Sequence, residues 1–357
     1  MKYIIEKANN KPIYIQLYEQ LRRDITDKQL PFGEKLPSKR LLSEELGISV
    51  ISVEHALSLL YDEGYINSRE RSGYYVIYNE SGGFQKPVSA SSLPHIQSGA
   101  PHYDFPFSVY AKTMRKVISE YGEEILQKSS KTGCGEFKSA IKSYLLRSRG
   151  IDVESERIVI GSGAEYLYGI IIQMLSRERT YATEMPSYEK IEAVYRANGV
   201  NLELLPLGED GIKSEALEQS SASVLHISPY RSFPSGVTAS ASKRYEYLNW
   251  AKPDKFIIED DFESEFSVLS KPEETVFKMS RDDNVIFLNT FSKTISPAVR
   301  IGYMVLPKKL VSVFNEKVGF YSCSVPTFEQ LVIADFINSG NFERHINRIR
   351  RKKRRER

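Results

Sequence analysis

The stretch that decides the fold is NTFSKTISPAVRIGY, Asn289 to Tyr303. Before it, NVIFLNT (284–290) is a β-branched, apolar run bounded by turn residues, which reads as a strand. FSKT then lies at or just past the strand's C-terminal end. Ligands of open α/β sheets collect at such ends. A lysine between two hydroxyl residues, followed by an arginine, suits a held aldehyde. Lys293 would be the amine that forms a Schiff base. Ser292 and Arg300 suit a phosphate, Arg300 by a two-pronged contact. A lone Ser-Lys-Thr is more often a solvated loop, so the reading rests on what surrounds it.

Working outward, RIVIGSG (157–163), SVLHISP (223–229) and KFIIEDD (255–261) are strand-like runs separated by helical stretches. That alternation predicts an α/β domain with a mostly parallel sheet from about residue 100 to 357. EDDF (259–262) closes one strand, and Asp260 there can pair with a pyridinium nitrogen. GSGA (161–164) joins a strand to a helix, so Ser162, Gly163 and Ala164 offer backbone N–H groups to a phosphate. Tyr188, in MPSY, offers a ring that can stack on a flat cofactor. Each signal alone has a plain structural explanation: turn acids, a helix start, a turn tyrosine.

Residues 1–78 follow another pattern. YIQLYEQLRRDIT puts Ile15, Leu17, Tyr18, Leu21 and Ile25 on one helical face. Ser38 can cap a short helix ending at Leu46, Gly47 breaks it, and Ser49 can cap a second helix to about Glu63. Two short helices around a glycine turn make a helix-turn-helix. Val53, Ala56, Leu57 and Leu60 would face inward. Ser49, Ile51, Ser52 and His55 would face a DNA groove. YINS and GYYVIY then flank a hairpin tip carrying Arg69 and Arg71. Residues 79–99 are rich in Ser, Gly and Pro, a linker composition.

Charge sharpens little. The formal net charge is +3, but residues 341–357 hold nine Lys/Arg against two Glu. That segment is +7, so the rest of the chain is −4. Residues 1–78 balance eleven basic against eleven acidic side chains, so net charge makes no case for nucleic acid. The basic tail reads as the solvated face of a helix. No apolar run approaches the ~20 residues of a membrane span, and the start lacks a signal-peptide pattern. The two cysteines match no metal or redox spacing. A cytoplasmic protein is expected, without a metal.

Two sets of motifs also carry a family likeness. KPIYIQLYEQLRRDI, KLPSKRLLSEELGIS and ALSLLYDEGYI resemble the winged-helix head of GntR-type bacterial repressors. TGCGEFKSAIKSYLLRSRGI, EMPSYEK, IIEDDFESEF and NTFSKTISPAVRIGYMVLP resemble fold type I pyridoxal-phosphate enzymes, the aspartate aminotransferase superfamily. The pairing resembles the MocR subfamily. The likeness implies phosphate contacts at Ser38, Lys39 and Arg40. It implies Lys293 as the Schiff-base lysine and Asp260 as the pyridine-nitrogen partner. Tyr188 becomes the stacking ring, with Ser162, Gly163, Ala164, Ser292 and Arg300 around the phosphate. It implies a homodimeric regulator that binds operator DNA. The effector would be a small amine, an amino acid or pyridoxal phosphate itself. An active aminotransferase with a DNA-binding head is the alternative.

Four departures from the pattern stand out. Val50 replaces an arginine at the start of the recognition helix. Phe262 replaces a tyrosine that bonds the cofactor's ring oxygen, a bond phenylalanine cannot make. Arg231 and Ser232 fall where His-Gln or Asn is usual. Family members continue past Arg357 into a small C-terminal subdomain, so a fragment or an incomplete effector site is expected.

Overall fold

The computed structural model describes residues 3–6, 11–70, 72–79, 105–267 and 273–355. The chain divides into two compact units, Met1–Ser98 and Gly99–Arg357. Of the 79–99 segment only Asn79 is described; the rest, like Arg71, lies outside the described residues.

In the first unit, helix α1 (Ile13–Thr26) buries Leu17, Tyr18, Leu21 and Ile25. Ile15 is only half-buried, and Gln16 takes a buried position instead. Its side-chain amide brackets the N-terminal segment: Gln16 Nε2 donates to the Glu6 and Lys11 carbonyls and Oε1 accepts from Glu6 N–H. A buried amide with its bonds satisfied costs little, so polarity does not keep Gln16 out. Helices α2 (Lys39–Leu46) and α3 (Val50–Asp62) follow. Ser38 and Ser49 cap them, accepting from Leu41 N–H and Ser52 N–H. Gly47 between them has φ +62°, a left-handed turn that glycine adopts without strain. Val53, Ala56, Leu57 and Leu60 are buried. Strands β1 (Ile66–Arg69) and β2 (Gly73–Val76) pair antiparallel as the wing.

The second unit is built on seven strands: β3 (Ile158–Gly161), β4 (Thr180–Met185), β5 (Asn201–Pro206), β6 (Val224–Ile227), β7 (Phe256–Asp260), β8 (Val285–Thr290) and β9 (Gly302–Val305). The sheet order is β3-β9-β8-β7-β6-β4-β5. β8, β7, β6, β4 and β5 run parallel, and β9 is antiparallel to both its neighbours. Both faces are covered. Ile158 and Ile160 pack on one core with helix Gly135–Arg149, while Val159 packs on the other with helix Ala164–Leu175. Burial on both faces explains why these strands are continuous apolar runs instead of alternating ones. Among the described residues no helix is long and apolar enough to cross a membrane.

Candidate functional site

The parallel strands end on one edge of the sheet, and a cavity of about 380 Å³ opens there. Ala164, Tyr188, Asp260, Ser292, Lys293 and Arg300 line it, joined by Phe233 and Phe262. Two residues expected beside a phosphate are not in its lining. The Ser162 N–H, expected to be free, donates instead to Ser324 Oγ at 3.0 Å. Gly163 contributes space: its φ is +95°, and a Cβ there would lie 3.1 Å from Arg300 Nη2. Any side chain at 163 would be strained and would crowd that guanidinium.

Asp260 closes β7, and strand alternation decides what it faces. Its neighbours Glu259 and Asp261 turn the other way. Glu259 accepts from the Val276 and Phe277 N–H groups, and Asp261 pairs with buried Arg149 at 3.0 Å. Asp260 is buried against Tyr168, whose hydroxyl donates to Oδ2. His226 Nε2 lies 3.6 Å from the same oxygen, and Tyr195 Oη meets His226 Nδ1 at 2.7 Å. Burial, then the Asp260 charge, pushes the Tyr168 hydroxyl well up, so it remains a donor. Among the described residues Asp260 Oδ1, like His226 Nε2, is buried without a hydrogen-bond partner. An orphaned carboxylate oxygen carries a large desolvation cost unless a donor meets it.

Lys293 follows β8 in the turn after Thr290 and is half exposed. The loop is pinned from behind: buried His345 donates from Nε2 to the Thr294 carbonyl at 2.8 Å. Arg300 and Lys190 converge on Glu165 at 2.6 and 3.2 Å. Burial works against the charge of Glu165, but hydrogen bonds from Arg300 and Lys190 bring its carboxyl below the usual range. The ring of Tyr188 meets Phe233 edge-on at 6.1 Å between centroids.

Arg231 and Ser232 do not line the cavity. Ser232 is buried and donates to Glu184 Oε2 at 2.5 Å, while Arg231 reaches Glu263. The loop instead brings Phe233, itself 54% exposed, to the cavity's lining. Phe233 and Phe262 therefore occupy the cavity wall where a hydrogen-bonding residue was expected.

Residues 13–76 match the family described as bacterial regulatory proteins, gntR family. Residues 98–357 match aminotransferase class I and II. The HTH-type transcriptional regulator YdeL of Bacillus subtilis is 32% identical over 360 residues, covering 97% of this chain and 78% of that protein. The regulatory protein MocR of Rhizobium meliloti is 28% identical, covering 98% of this chain and 76% of that protein. This chain belongs to the MocR-type GntR regulators.

A MocR-type regulator combines a DNA-binding head with an aminotransferase-like body, and both are present. The kynurenine aminotransferase of Pyrococcus horikoshii is similar to the body at 25% identity with a TM-score of 0.64. That likeness covers 71% of this chain and 65% of the enzyme. The class implies pyridoxal phosphate, and the donor set fits it. Asp260 Oδ1 lacks the donor that a protonated ring nitrogen supplies. Lys293 and Lys190 are both exposed amines in the lining, and Arg300 and Lys190, each paired with Glu165, are cations suited to a phosphate.

In the head, Ser38, Arg40, Ser49 and His55 are exposed, and Ser52 and Lys39 half so. Several are already engaged. Lys39 pairs with Glu54 at 2.5 Å. Ser49 Oγ and Ser52 Oγ lie 2.9 Å apart. His55 meets Tyr14 edge-on, and the Arg69 guanidinium lies 4.4 Å from the Tyr75 ring centroid. Tyr168, His226, Glu165, Lys190 and His345 escaped the sequence reading. Tyr168 had a signal, sitting one helical turn after Ala164. His226 and His345 had none, because their partners lie far away in the chain.

Proposed function

We propose that this MocR-type regulator binds pyridoxal phosphate on Lys293 and uses it to detect a small amine or amino acid, or the cofactor itself. The observation that carries the proposal is Asp260 Oδ1, buried and orphaned in the cavity that also holds Lys293. When bound, the cofactor supplies an aldehyde to the amine and an electron-withdrawing ring. Asp260 would hold the ring-nitrogen proton, and the Tyr168 hydroxyl holds Asp260 in place. Arg300 and Lys190 attract the phosphate, and Ser292 adds a hydroxyl. Tyr188 bounds one side of the ring.

An amine that displaces Lys293 changes which groups the lysine contacts. Differential binding to two states of the protein is the energy source for a switch. Phe233 and Phe262 favour detection over turnover, since neither supplies a hydrogen bond to the ring oxygen. In the head, Ser38, Lys39, Arg40 and Arg69 serve as phosphate contacts. Exposed Ile51 and Val50 offer apolar contact to base methyl groups instead of an arginine–guanine pair.

The test is absorbance. Purified protein with pyridoxal phosphate should gain a near-visible band that sodium borohydride fixes to Lys293, and Lys293→Ala should lack it. Absence of the band in the wild type rejects the proposal. Transfer of an amino group to a keto acid would favour the enzyme reading. A gel shift on the gene's own upstream DNA tests the head.

A further inference from the structure

We infer that Glu165 stands in for the phosphate of the ligand: its carboxylate fills the anion cup of the cavity, and a phosphate enters by displacing it. The inference rests on the reading above, in which this cup takes the phosphate of pyridoxal phosphate. Glu165 lies in the first turn of helix Ala164–Leu175 and lines the cavity. Its two oxygens are divided between cations from two other elements. Oε2 accepts from Arg300 Nη2, between β8 and β9, at 2.6 Å. Oε1 accepts from Lys190 Nζ, in helix Glu189–Ala197, at 3.2 Å. Both cations line the same cavity and are half exposed, while Glu165 is the more sheltered partner at 26% exposure. Carboxylate and guanidinium both lie over Gly163: a Cβ there would be 3.6 Å from Glu165 Oε2 and 3.1 Å from Arg300 Nη2.

A guanidinium, an ammonium and the N–H groups of a helix start are the donors a phosphate takes. Glu165 collects all three kinds. Burial opposes its charge, but bonds from Arg300, from its own backbone N–H and from Lys190 outweigh burial, so the carboxyl stays ionised. The Lys190 ammonium is held above its usual range in turn, by Glu165 first and then by Tyr188. Two cations brought together repel, and Glu165 removes that repulsion before a ligand arrives. A phosphate monoester brings a charge of about −2 to the same two cations. It outbids a single carboxylate, and the two anions repel at such range, so Glu165 gives way. The exchange gives up both of its ion pairs. The phosphate is therefore bound more weakly than in a cup without the carboxylate. A site weakened in this way fills and empties with the supply of phosphorylated ligand, which favours the cofactor itself as the molecule detected.

The experiment is an equilibrium titration of the full chain with pyridoxal phosphate and, in parallel, with pyridoxal, which has the same aldehyde and ring without the phosphate. Absorbance and borohydride label on Lys293 are the readouts. Half-exposed ion pairs are weak, so Glu165→Gln should tighten the dissociation constant for pyridoxal phosphate by about three- to tenfold and leave that for pyridoxal within about twofold. Glu165→Asp, charged but one methylene shorter, should fall between wild type and Glu165→Gln. Inorganic phosphate, followed by thermal melting, should stabilise Glu165→Gln at a lower concentration than wild type. Unchanged or weaker binding of pyridoxal phosphate by Glu165→Gln overturns the inference. So does an equal gain for pyridoxal, which would place the effect away from the phosphate. Absence of label on Lys293 in the wild type overturns the reading of function instead, and inorganic phosphate then decides this inference alone. Melting without ligand shows whether each variant folds, and Glu165→Asp carries the test if Glu165→Gln does not.

Discussion

Ser49 of the head and Asp260 of the body are both short polar side chains at the end of a regular element. Ser49 caps α3, and its partner is Ser52, three residues on. Asp260 ends β7; its hydrogen-bond partner Tyr168 comes from a distant helix, and His226 of the neighbouring strand β6 lies 3.6 Å away. Ser49 is exposed and its bond satisfies the helix. Asp260 is buried, and one oxygen is left unsatisfied. A local polar group stabilises its element, while a non-local one is held, at a cost, for something else to meet it.

Substitutions can break or sharpen that contrast. The largest effect is expected from Lys293→Ala, which should abolish cofactor attachment while a gel shift by the head persists. Loss of DNA binding in the cofactor-free variant would mean that the two functions are not separable. Asp260→Asn comes next. It removes a charge-assisted bond of about 1.5–3 kcal/mol, so the cofactor dissociation constant should rise by about ten- to a hundredfold. An unchanged constant would show that the orphaned oxygen meets no ring nitrogen.

A pH effect follows from Glu184, which holds the loop carrying Phe233 through Ser232 Oγ and Ser228 N–H. Burial raises its carboxyl to about 8, against the pull of those two hydrogen bonds. The folded protein therefore holds this proton more tightly than the unfolded chain does. The resulting stability is complete below the unfolded carboxylate range, about pH 4, and is lost as pH rises through about 8. Between these limits the slope approaches about −1.4 kcal/mol per pH unit. Glu184→Gln should flatten it in thermal melts of the body taken from pH 6 to 9. Buried Glu259 and Glu265, each raised to about 7, leave a residual slope. A slope identical in Glu184→Gln and wild type would contradict a protonated Glu184. The smallest effect is expected from Ser49→Ala, about 1 kcal/mol off the head's stability and nothing off the body's, by denaturant unfolding.

The sequence determined what needs only near neighbours. The caps at Ser38 and Ser49, the break at Gly47 and the inward face of α3 depend on spacings of three to eight residues. Four strands of the sheet were legible because burial on both faces leaves continuous apolar runs. The lysine and the aspartate were legible because each follows such a run, and family likeness assigned them roles. β4, β5 and β9 were not singled out, and β5 is only partly buried, so its pattern is weaker.

Only the tertiary structure decided which groups meet across the sheet. It put Tyr168 and His226 on Asp260, Glu165 between Arg300 and Lys190, and His345 behind the lysine loop. It also moved Ser232 out of the cavity and Phe233 into it, because a buried carboxylate at 184 claims the serine hydroxyl. Hydrogen bonds of that kind join residues dozens to more than a hundred positions apart. Their energy depends on burial and distance, and neither is written in local spacing.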